Sequence, residues 1–151
     1  MIGQRFITQG VRWKRAAASV AASLVAAGCM HLFASPPPDL DNSRTRLSEH
    51  GVYRVTIAPQ VDTIRVGRMH SWKLHVETGD AQPVNDASVA VGGGMPQHGH
   101  GLPTKPRVTQ SLGNGDHLVE GMKFNMGGWW VVTFKITAPA GTDSVTFNLT
   151  L

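Results

Sequence analysis

From Val52 onward the chain alternates apolar and polar positions in short bursts. "VYRVTIA" sets Tyr53, Val55 and Ile57 on one side, and "HSWKLHVET" sets Trp72, Leu74 and Val76 against Lys73, His75 and Glu77. "ASVAVG", "RVTQSL", "HLVEGMKF", "WWVVTFKIT" and "DSVTFNLTL" follow, the last with Val145, Phe147 and Leu149 in step. A period of two is that of a strand with one face buried. The bursts are separated by turn-forming residues: Pro59, Gly79-Asp80, Pro83, a glycine-rich loop from Gly92 to Pro103, Gly113-Asn114-Gly115, Gly127-Gly128, and Pro139 to Gly141. No stretch keeps a helical period for three turns. About seven short strands in roughly 100 residues predict an all-β fold, an immunoglobulin-like antiparallel β-sandwich. Its core is expected to include Trp130, Val132, Phe134 and Ile136, each large side chain contributing roughly 1.5–3 kcal/mol on burial.

The pattern differs ahead of Gly51. Residues 1–15 carry Arg5, Arg12, Lys14 and Arg15 and no acid, and an apolar Ala-rich run follows from Ala16 to Ser35. A basic segment ahead of an apolar one reads as an N-terminal signal peptide or membrane-anchor helix over 1–34. Cys29, the single cysteine, ends "LVAAGC", which resembles a lipoprotein cleavage and lipidation site. Cleavage after Ala34 and retention as an uncleaved anchor stand beside it. All three place the remainder outside the cytoplasm, in the periplasm or on the outer face of a bacterial membrane. "SPPPDLDNSRTR" then opens a Pro-rich linker over 35–50, extended and stiff. The domain proper is expected over 51–151, with no cysteine left for a disulfide.

Charge changes the picture little. The chain's formal net charge is +4, but removal of the segment before Cys29 leaves ten Lys and Arg facing ten Asp and Glu. Without a basic excess, nucleic-acid binding loses its footing. The sequence also carries no Ser-His-Asp arrangement, carboxylate pair or phosphate loop opening a helix, so no enzymatic activity is expected.

Candidate chemistry lies in "GGGMPQHGHGLP", from Gly92 to Pro103. Successive antiparallel strands run up and then down, so alternate loops share one end of a sandwich. That rule gathers Met69, His70, Met95, His98, His100, Met122 and Met126 at one end, and sends His75 and His117 toward the other. Thioether suits Cu(I) and imidazole suits Cu(II). Zinc more often recruits cysteine or carboxylate, and calcium requires carboxylates, which this loop lacks. Met95, His98, His100 and Met126 are therefore the candidate copper ligands. The same residues also have a plain structural reading. Histidines in a loop can bond carbonyls, and methionines fill core gaps.

"GGGMPQHGHGLPTKPRVT", "GDHLVEGMKFNMGGWWVVTFKI" and the closing "DSVTFNL" resemble the YtkA-like family, which is related to FixH proteins. The resemblance spans about Val52 to Leu151. It implies an extracytoplasmic, membrane-tethered β-sandwich associated with copper handling and with assembly of haem–copper oxidases or cation pumps. Two functions follow as expectations: a copper-binding or copper-delivery module, or a metal-free interaction module for a membrane complex.

Overall fold

A computed structural model of the chain describes residues 35–151. The signal or anchor helix and Cys29 lie outside the described residues. The elements are β1 (Thr45–Leu47), β2 (Tyr53–Pro59), β3 (Met69–Thr78), β4 (Ser88–Met95), β5 (His100–Gly101), β6 (Arg107–Gly113), β7 (Asp116–Lys123), β8 (Trp129–Ala138) and β9 (Gly141–Thr150). Each of the seven expected strands is present, and β1 and β5 are additional. Among the described residues there is no helix.

The strands follow the order β1-β2-β3-β7-β6-β4-β8-β9, with β5 on β4, and every pairing is antiparallel. Only Ala90↔Arg107 joins β6 to β4. The pairing narrows to a single bridge there, and Glu49 N–H donates to the Ser144 carbonyl at 2.8 Å where the first and last strands approach. The result is a nearly closed barrel or sandwich. Its interior holds the alternating residues read from the sequence: Tyr53, Val55, Ile57, Trp72, Leu74, Val76, Trp130, Val132, Phe134, Ile136, Val145, Phe147 and Leu149 are all buried. Phe124 sits between Trp72 and Trp130, with ring centroids 6.2 and 5.1 Å away.

Two features depart from simple alternation. In β7 the register against β3 slips between His70↔Met122 and Trp72↔Val119, where Gly121 takes φ +84°. This one-residue bulge turns Met122 inward, where strict alternation would place it outside. The second departure is the domain boundary. The Pro-rich linker was expected to reach 50, yet β1 lies within it, pairing Thr45↔Thr56 and Leu47↔Arg54. Asn148 Nδ2 also donates to the Asp41 carbonyl at 3.0 Å, so the chain joins the domain near Asp41 rather than Gly51. Thr45–Leu47 is too short to show a period, which is why the pattern missed it.

The antiparallel order puts the β2–β3, β4–β6 and β7–β8 connections at one end. The chain enters at that end too, since β1 runs down beside β2 and Ile57 N–H donates to the Arg44 carbonyl at 2.9 Å.

Candidate metal-binding loop

The glycine-rich stretch is a hairpin. β4 runs to Met95, whose carbonyl accepts from the N–H groups of both His98 and Gly99 at 3.0 Å. Gly99 takes φ +64° and the chain returns as β5, pairing Met95↔His100 and Gly94↔Gly101. A side chain on Gly94 would collide with the His100 carbonyl, and one on Gly93 with the Val131 carbonyl of β8. These two glycines let β4 lie close between its neighbours. They fix where His100 emerges.

The hairpin brings His98 and His100 together. Their ring centroids are 6.0 Å apart and their planes within 24° of parallel. His100 also meets Trp130 edge-on, with centroids 5.5 Å apart. His100 Nδ1 lies 3.0 Å from the Gly101 carbonyl oxygen. A carbonyl only accepts, so Nδ1 carries the proton and Nε2 keeps its lone pair. This is the tautomer that a metal-binding histidine with a backbone partner adopts. His98 is exposed, and among the described residues its ring nitrogens have no hydrogen-bond partner.

The methionines are placed differently. Met95 is only 2% exposed and belongs to the core, its methyl lying against Gly128. Met126 packs partly against the same core, and its carbonyl accepts from Trp130 Nε1 at 3.1 Å. Met122 is fully buried, whereas Met69 is 68% exposed.

His70 is at the same end but is committed elsewhere. Its Nδ1 accepts from Trp72 Nε1 at 2.9 Å, so Nε2 bears the proton. That Nε2 is buried with no partner among the described residues, and burial pushes the ring's pKa down. Neither nitrogen offers a lone pair to a metal. His117 Nε2 donates to the Val84 carbonyl at 2.8 Å and is structural. His75 lies between Asp116 at 2.6 Å and Glu77 at 3.3 Å on an outer face, with Lys73 also 3.0 Å from Asp116.

A second cluster of ligand-type residues lies outside the glycine-rich loop. At the opposite end, ligand-type atoms of Glu49, His50 and Asp143 lie within 4.8 Å of one another. Asp143 is buried, and its carboxylate accepts from His50 N–H at 2.9 Å, His50 Nδ1 at 2.9 Å and Ser144 N–H at 2.8 Å. Burial pushes the Asp143 pKa up, but hydrogen bonds from Ser48, His50 and Ser144 outweigh it and hold the carboxyl well below the usual range. The hydrogen bond and charge of Asp143 raise the pKa of His50 in return. With its oxygens taken by N–H donors, the cluster is a latch on the chain ahead of β2. Its signal was present in the sequence: Asp143 falls in step with Val145, Phe147 and Leu149, an acid in a buried register.

The fold and this hairpin define a small all-β antiparallel domain presenting paired imidazoles at one end. The chain belongs to the YtkA-like family, whose model matches residues 47–135. No curated protein matches the chain in sequence. Among solved structures it is similar to one titled "ZirS C-terminal Domain", at 12% identity over 95% of this chain and 97% of that one. With a TM-score of 0.37, that likeness bears on neither fold nor function.

Proposed function

We propose that this chain is an extracytoplasmic copper-binding or copper-delivery module, tethered to the membrane through its N-terminal segment, with Cys29 as the lipidation site. The observation that supports it best is the His98–His100 pair, with His100 Nε2 freed by the Nδ1 bond to Gly101. Copper of either oxidation state accepts two imidazoles, and a loop free of carboxylate does not favour calcium or magnesium. His98 and His100 would hold the ion, and the thioethers of Met126 and Met95 would add soft sulfur for Cu(I). Met95 can serve only if its side chain leaves the core, so Met126 ranks ahead of it. The bound ion would be cargo for a membrane complex such as an oxidase or a cation pump. We read the antiparallel topology as a two-layer, immunoglobulin-like sandwich, with the ligand loops gathered at one end.

A second reading is a metal-free assembly module, and the burial of Met95 favours it, because a core methionine needs no metal to explain it. Equilibrium competition against a chromophoric chelator separates the two. His98→Ala with His100→Ala is expected to weaken Cu(I) and Cu(II) binding at least tenfold, about 1.4 kcal/mol. Met126→Ala is expected to weaken mainly Cu(I). Wild-type binding no tighter than that of the double-histidine variant would transfer the loop to the assembly reading. Intact-mass analysis of the membrane fraction tests the tether. A mature chain starting at lipidated Cys29 is expected, and one starting at Ser35 would rule out lipidation.

A further inference from the structure

The loop between β2 and β3 has a surface that copper binding does not use. Large apolar side chains exposed among the described residues are few, and three of the five are here: Val61 at 40%, Val66 at 47% and Met69 at 68%. Arg65 and Arg68 stand between them, and among the described residues neither has an ion-pair partner. The loop is built rather than loose. Arg68 N–H donates to the Arg65 carbonyl at 3.2 Å, closing a tight turn with Val66 at its tip and Gly67 at φ +77°. Gly67 N–H is tied to the Phe124 carbonyl at 2.7 Å, which holds the turn on the domain. Val61, Thr63, both arginines, Met69 and His70 border a depression of about 380 Å³. Asp62 is the acid on its rim. Arg44, beside Val61 in the neighbouring depression, and Lys123, opposite Met69 in register, add positive charge.

Position adds a second argument. The chain joins the domain near Asp41 and reaches β1 through Arg44, at this same end. The residues ahead of it are the Pro-rich stretch and the apolar run of the sequence. A bilayer tether placed in that run would therefore connect to the domain at this end. About six residues of extended linker, Ser35 to Leu40, span at most ~20 Å, a distance from which the loop readily reaches the headgroups.

We propose that the β2–β3 loop is a membrane-docking surface for anionic phospholipid. A headgroup phosphate is held between Arg65 and Arg68, and Val66 and Met69 enter the interfacial layer. Arginine suits phosphate through its planar fork of donors, and exposed apolar side chains beside it match the acyl boundary. The proposal rests on the membrane tether but not on copper, so it stands or falls apart from the metal reading.

The test is hydrogen–deuterium exchange on the full chain in nanodiscs, of phosphatidylcholine alone or with one third phosphatidylglycerol. Exchange of amides 61–69 is expected to slow about fivefold or more with the anionic lipid, the effect of even one basic residue at such a surface. Arg65→Glu with Arg68→Glu is expected to abolish the slowing, and Val66→Asp to reduce it. Unchanged exchange in β8 and β9 checks that each variant is folded. Exchange at 61–69 that ignores lipid charge would overturn the proposal. Slowing reproduced in phosphatidylcholine by millimolar inorganic phosphate would also overturn it, because the site would then take the free ion.

Discussion

Asp143 shows how one side chain can hold a boundary. Its carboxylate gathers donors from His50 and Ser144 and is sealed from water. Asp143→Asn removes the charge and leaves donors unmatched, a loss of about 2 kcal/mol that urea unfolding should read. The pH dependence follows from the two shifts. Asp143 has a folded pKa well below the usual carboxylate range, so its contribution is complete above about pH 4 and is lost as pH falls toward the folded value. His50 has a folded pKa above that of an ordinary imidazole, so its share is complete below about pH 6.5 and is lost as pH rises past the folded value. The stability gap between wild type and Asp143→Asn should therefore be widest between about pH 4 and 6.5. A gap that does not change with pH would mean the latch works through shape alone. Asp143 is legible in the sequence, since an acid in step with Val145 and Phe147 has to be satisfied inside.

In the β4–β5 hairpin, packing and site are one problem. Gly94 has no room for a methyl beside the His100 carbonyl. Gly94→Ala should cost about 1–3 kcal/mol through overpacking and push β5 away, weakening copper binding along with stability. Unaltered affinity in a destabilised Gly94→Ala protein would detach the site from the hairpin. The strands themselves were legible because the period of two persists through β2, β3, β8 and β9. β5 was hidden, because two residues inside a glycine-rich loop carry no period. The same limit applied to the methionines. Loop parity correctly gathered Met69, Met95, Met122 and Met126 at one end, but end is not orientation. The bulge at Gly121 turned Met122 inward, which spacing does not encode. Met95 points inward in step with Val89 and Val91 along an unshifted β4, a direction legible only once β4 is known to run on through its glycines to Met95.

The whole domain closes only when the segment ahead of β2 is present. β1, Ser48 and the His50–Asp143 contacts join both ends of the sheet order. A fragment of residues 41–151 should therefore unfold at a higher urea concentration than one of 51–151, with both showing β-type circular dichroism. Equal midpoints would make β1 an ornament. At this level the sequence was informative about the all-β architecture and its core, because burial repeats along every long strand. It was silent about closure, which depends on one Asp and a three-residue strand. The arrangement also sends the chain entry, the paired imidazoles and the Arg65–Arg68 turn to one end, which supports the proposed delivery role. The most direct test is the electron paramagnetic resonance spectrum of the Cu(II)-loaded domain. Two imidazole nitrogens should be resolved, one should disappear in His98→Ala or His100→Ala, and both in the double variant. A spectrum that the double variant leaves unchanged would place the metal elsewhere and contradict the account.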